Sequence, residues 1–256
     1  MTFREWILSD YTKNPIVDNR WGELHITVLV LSIAIAVTIS LCKNKSYKIR
    51  RTITLVLAGA ILFFELARRV INLYKGCDLW WTILPRPWCA VSCWLVIAAV
   101  LVNRKFFYNL ASMSSIICAI IFFAYPSAGF NNQYMQFENV YSIATHSLLL
   151  ISSVSFITLG FTDFKYKRNE PSSSCIKEVL GLTAIFAYAF LQIFLLKLES
   201  NPNPFYFMPN GEVQAFLGVT YPVYLLIYIS FLLLYFNLFY LVQLIIDRTT
   251  KKSHIK

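Results

Sequence analysis

Cys89 and Cys93 stand four residues apart in the stretch "LPRPWCAVSC", Leu84 to Cys93, behind Pro85 and Pro87 and ahead of a long apolar run. In a helix that spacing puts both thiols on one face, a turn from each other. Prolines suit the first turn of a helix, because the N–H they lack would be unsatisfied there, so Cys89 is expected at a helix start. A helix N-terminus and the adjacent Arg86 both favour thiolate over thiol. These are the makings of an activated nucleophile, and a cysteine nucleophile suits acyl transfer through a thioester. Two plainer readings stand beside it: a small packing residue, or a disulfide from Cys77 to Cys89 or Cys93.

Other groups of a kind that apolar segments rarely contain recur at a similar depth. His146 follows Asn139, Tyr141, Ser142 and Thr145 in "NVYSIATHSLLL", about 10 Å from the segment's start at 1.5 Å per residue. His25 opens an apolar run beside Glu23, where a satisfied structural histidine is the plainer reading. Glu65, Arg68 and Arg69 fall together in "FFELARRV", and Glu65 to Arg69 has the i, i+4 spacing of a helical ion pair. Gln192 lies in a later apolar run. Ionisable groups in a membrane cost roughly 2.5 to 3.5 kcal/mol each on insertion scales and face one another or a cavity. Their shared depth over several segments predicts a polar pocket, in which Glu65 pairs with Arg68 or Arg69 and faces the interior.

The elements that must hold these groups are membrane helices. The chain has 256 residues, 57% of them hydrophobic and only 14% charged, with 21 phenylalanines, and its mean hydropathy is +0.58. Soluble domains carry about 25% charged residues. Seven apolar runs, near 25–42, 52–74, 84–103, 106–125, 139–162, 178–198 and 219–246, approach the roughly 20 residues that a helix needs to cross a bilayer. They are continuously apolar, whereas barrel strands would alternate. The predicted architecture is all-α: a polytopic bundle of seven transmembrane helices over 25–246. A polar segment, 1–24, precedes it and a basic tail, 247–256, follows it.

The net charge of +10 is spread in a way that fits membrane orientation better than nucleic-acid binding. Fifteen basic residues fall in alternate connections and the tail, among them Lys43, Lys45, Lys48, Arg50 and Arg51; six fall on the other side. By the positive-inside rule the N-terminus is outside and the C-terminus cytoplasmic. The first 24 residues do not read as a cleavable signal. The outer loop "ESNPNPFYFMPNGE", 199 to 212, has the composition of rigid turns and is expected to pack back on the helices. Three histidines and scattered cysteines have no metal-ligand spacing, and no glycine-rich phosphate loop appears. No cofactor is expected; the expected partners are membrane lipids.

The order of these features resembles the YwaF-like family of bacterial integral membrane proteins, related to animal transmembrane protein 164, a phospholipid acyltransferase. The resemblance is carried by "GELHITVL", "FFELARRV", "LPRPWC", "ATHSLLL", "NPFYFM" and "YPVYLL", in that order. It implies a multi-pass protein of the bacterial plasma membrane with a phospholipid substrate. Cys89 would be the nucleophile, His146 the base, and His25, Glu65, Arg68, Arg69, Gln192, Asn203 and Tyr206 would bind substrate. Pro87 occupies the position of a family histidine, which leaves His146 as the base beside the cysteine. A non-catalytic lipid or small-molecule binding protein and a transporter are the competing functions, the latter disfavoured by the absence of visible repeats.

Overall fold

The computed structural model describes residues 6–7, 21–85, 88–124, 127–130, 133–164 and 217–253, together with Gly181, Ala184, Ile185 and Tyr188. Every regular element among them is helical. They are α1 (Glu23–Ser40), a 3-10 turn (Leu41–Asn44), α2 (Tyr47–Tyr74), α3 (Leu79–Ile83), α4 (Trp88–Val102), α5 (Lys105–Ala124), α6 (Ser127–Phe130), α7 (Phe137–Thr158) and α8 (Tyr221–Ser253). The chain divides into two compact units, Met1–Thr162 and Asp163–Lys256.

Four helical segments are long and apolar enough to cross a membrane: Glu23–Asn44, Lys105–Ala124, Phe137–Thr158 and Tyr221–Val242. α4 is apolar but shorter, and α2 is long but carries charges at both ends. The expected helix over 178–198 lies outside the described residues except for the four single positions, all of which are helical.

In the first unit α5 packs between α4 and α7, while α2 lies against both α4 and α7, and α1 against α7. Burial follows the helical period. Thr54, Leu57, Ala58, Ile61 and Glu65 form the buried stripe of α2, so Glu65 faces inward simply by continuing an apolar row. In α4, Trp88 and Ser92 bury the row that leads into Val96, Ala99 and Val100.

α2 begins at Tyr47, earlier than the 52 expected from hydropathy, because its first turns contain charges that find partners inside the unit. Ser46 caps it, its hydroxyl accepting from the Ile49 N–H at 3.5 Å. Arg50 donates to the Leu159 carbonyl just beyond the end of α7. Arg51 donates to the Val100 carbonyl near the end of α4 and to the Tyr108 hydroxyl of α5. Helix ends leave carbonyls unpaired, and a basic side chain there meets both the hydrogen-bond demand and the negative end of the helix dipole. Two residues read as loop charges therefore tie four helices together at one end.

At its other end α2 closes on Gly76, whose φ of 78° lies in the left-handed region that side chains disfavour. The Gly76 N–H donates to Leu73 and the Cys77 N–H to Asn72, a Schellman closure. This turns the chain directly into α3 and then α4, bringing Cys89 back beside the last turns of α2. In the second unit, α8 carries Phe239 and Tyr240, whose rings meet Phe164 at 5.2 and 5.8 Å.

Candidate functional site

Two groups of side chains occupy the end of the first unit where α2 stops and α4 and α7 start. The first centres on Glu65, which is completely buried. One of its carboxylate oxygens pairs with Arg69, one turn on, and the other accepts from the Tyr141 hydroxyl of α7. The Cys93 thiol of α4 is a further neighbour of the same carboxylate. A buried carboxylate needs this many partners, since an unpaired one would be far from water. Arg69 is committed on every side. It also donates to the Glu65 and Ile83 carbonyls, at 3.0 and 3.3 Å, and its guanidinium lies 5.0 Å from the Trp94 ring centre.

Arg68 turns the other way. Its Nε donates to Glu138 in the first turn of α7 at 3.2 Å, and its guanidinium lies 4.7 Å over the Tyr141 ring. Cys89 stands in the first turn of α4, partly buried, with Arg68 and then Glu65 as its charged neighbours. The expected choice between Arg68 and Arg69 as partner of Glu65 is thus resolved in favour of Arg69, and Arg68 has an acid of its own.

Beside Cys89, Trp88 points into α5, where its indole N–H donates to Ser114 at 2.7 Å. Ser92 meets Ser114 at 2.6 Å and the Cys118 sulfur at 3.3 Å. Cys42, Cys77, Cys89, Cys93 and Cys118 are all free thiols. The disulfide alternatives from Cys77 to Cys89 or Cys93 are therefore not what the fold forms.

The second group is aromatic and holds the two histidines. His146 stacks on Phe122 of α5, with ring centres 4.0 Å apart and planes within 8°. Its Nδ1 lies 2.7 Å from the Ser142 carbonyl one turn back. A carbonyl can only accept, so Nδ1 carries the proton and Nε2 is left with its lone pair when the ring is neutral. His25 is buried among Trp21, Phe130 and Phe123, at 4.8, 4.7 and 6.0 Å. Neither of its ring nitrogens reaches a hydrogen-bond partner, and the Phe123 backbone is its polar neighbour. It is therefore not the satisfied interfacial residue suggested by its position in the sequence. Phe122 and Phe130, 5.6 Å apart, join the two histidines into one cluster.

The fold thus gathers Glu65, Arg68, Arg69 and Cys89 into one polar group and His25 and His146 into the aromatic one beside it. Among the described residues His146 and Cys89 share no hydrogen bond. Gln192, Asn203, Tyr206, Arg86 and Pro87 lie outside the described residues. Two participants escaped the choice of site residues. Tyr141 bridges Glu65 and Arg68, and its sequence signal was its place one turn before Thr145 on the polar face leading to His146. Glu138 reads in sequence as a first-turn acid complementing the helix dipole, and nothing local reveals that it holds Arg68.

Searches against curated proteins and against solved structures give no match. A family model described as the TMEM164 family matches residues 19–240, which span α1, the whole polar group, the aromatic cluster and most of α8. The chain belongs to the TMEM164 family of membrane proteins.

Proposed function

We propose that this chain is a cysteine-dependent acyltransferase acting on phospholipids or lysophospholipids. It would sit in the bacterial plasma membrane as seven spans, with its amino terminus and the Cys89 end of the bundle outside. The observation that carries the reading is the free Cys89 thiol, partly exposed in the first turn of α4 beside the Arg68 guanidinium. His146 supports it, because its Nδ1 is taken by the Ser142 carbonyl and its Nε2 lone pair remains to accept a proton.

In the first step the Cys89 proton passes to His146, and the sulfur attacks the ester carbonyl carbon of the donor lipid. The tetrahedral intermediate collapses with breakage of the C–O bond, and the leaving alkoxide takes the proton from His146. The thioester is then attacked by an acceptor hydroxyl, which gives up its proton through His146 as the C–S bond breaks and the thiol is restored. The step requires His146 Nε2 to come within hydrogen-bond reach of the Cys89 thiol in the substrate complex, where catalytic hydrogen bonds commonly tighten.

The second reading is a binding protein without turnover, favoured by the extensive partnering of Glu65 and Arg69. Purified protein given a phospholipid with a labelled acyl chain separates the two. The expected result is a label on Cys89, released by hydroxylamine, and transfer to an added lysophospholipid. Cys89→Ser should abolish both, and His146→Ala should slow transfer by on the order of 10² to 10⁴, while Cys93→Ser keeps the label. Wild-type transfer in Cys89→Ser would reject the assignment.

A further inference from the structure

Arg68 and Arg69 are sequence neighbours with opposite situations, and the contrast identifies a binding group. Arg69 has its donors occupied by Glu65 and Ile83 and only 14% of its side chain exposed. Arg68 is 31% exposed, and its partners among the described residues are Glu138 and Tyr141, with the Cys89 thiol beside it. A guanidinium carries five N–H donors in one plane. Glu138 takes the one on Nε, and the guanidinium lies over the Tyr141 ring with the Tyr141 hydroxyl as a further polar neighbour. Five donors exceed what these two partners take up, so terminal N–H groups, whose pairing matches two oxygens of an oxyanion, are left for a ligand.

We propose that Arg68 is the recognition group for a phosphate-ester oxyanion, pre-oriented by Glu138 and Tyr141 so that the bound ligand lies next to Cys89. Depth favours a phosphate. α2 has 28 residues, about 42 Å at 1.5 Å per residue, against a hydrocarbon core of about 30 Å. Arg68 is six residues from its end, about 9 Å in, where the core meets the headgroups. The identity of the ligand as a lipid headgroup rests on the acyltransferase reading above; the oxyanion site itself does not. Two features fix the fork before ligand arrives: Glu138 belongs to the capped first turn of α7 and Tyr141 is anchored through its hydroxyl to buried Glu65. Little side-chain entropy is then lost on binding.

The test uses the full chain in a phosphate-free detergent, in the Cys89→Ser background so that binding is read without turnover. Phenylglyoxal modification of arginines is followed by peptide mass spectrometry with sn-glycero-3-phosphocholine, inorganic phosphate or acetate present. Glycerophosphocholine is expected to slow modification of Arg68 at least fivefold and to leave Arg51 unchanged. Equal protection by inorganic phosphate would keep the oxyanion site and identify free phosphate as its ligand. Equal protection by acetate, or protection by none of the three, would overturn it. The ligand-induced rise in melting temperature should vanish in Arg68→Gln. If that variant does not fold, Glu138→Gln decides. It keeps an acceptor for Nε but removes a competing charge, so phosphate should bind roughly threefold tighter, as expected for a charge about 6 Å away in watery surroundings. Unchanged or weaker binding in Glu138→Gln would contradict the proposal.

Discussion

At the residue scale, the organising fact is a carboxylate with no access to water. Glu65 is held by Arg69 on one oxygen and Tyr141 on the other, and its removal would strand a guanidinium in the same dry surroundings. Breaking a buried pair by deleting one member costs about 3 to 5 kcal/mol, whereas removing both members can be nearly neutral. Glu65→Gln is therefore expected to lower the melting temperature in detergent sharply. Adding Arg69→Gln should restore most of the loss. Equal melting temperatures for the single and double variants would show that the pair carries no coupling. Tyr141→Phe removes one donor to Glu65 but keeps the ring under Arg68, so its cost should be smaller, about 1 to 3 kcal/mol.

At the element scale, the position of His146 depends on how closely α6 approaches α5. A Cβ added to Gly129 would lie 2.9 Å from the Phe122 ring and 3.1 Å from Ile143, distances that force Phe122 to move. Phe122 is the surface on which His146 lies flat. The Gly129 carbonyl also accepts from Asn139, whose side-chain oxygen in turn caps α7 at the Gln136 N–H. Gly129→Ala should therefore act on His146 without touching it. Modification of His146 by diethyl pyrocarbonate should change severalfold, while alkylation of Cys89 by a maleimide stays near wild type. Gly59, in the middle of α2 with open space around it, gives the contrasting case. There alanine should stabilise by about 0.5 to 1 kcal/mol through helix propensity alone, and a fall in melting temperature would contradict the open surroundings.

At the scale of the whole molecule, the asymmetry of basic residues predicts an orientation, and with it the side from which a substrate would arrive. A reporter fused after Lys256 is expected to be active only in the cytoplasm, and one before Met1 only outside. The reverse pattern would move the Cys89 end of the bundle to the cytoplasmic leaflet. Arg50 and Arg51 add to this: at the end of the unit away from Cys89 they bind the terminal carbonyls of α7 and α4. Replacing both by leucine should loosen that end and lower the melting temperature more than replacing the exposed Lys43 and Lys45.

Hydropathy and run length alone placed α1, α4, α5, α7 and α8 near the expected segments, because a helix that must avoid water announces itself by a long, mostly apolar run. The pairing of Glu65 with Arg69 was equally legible, since both partners belong to one helix and its pitch sets their distance. What was not legible was every contact between helices: Tyr141 on Glu65, Glu138 on Arg68, Phe122 under His146, and the inward turn of Arg50 and Arg51. Partners in such contacts are separated by tens of residues, and no local period relates them. The free state of Cys77 and Cys89 is of the same kind. Composition and periodicity determined which segments are helices and which faces are polar; the packing of α2, α4, α5 and α7 decided which polar groups meet, because that depends on rotation and crossing that no single helix encodes.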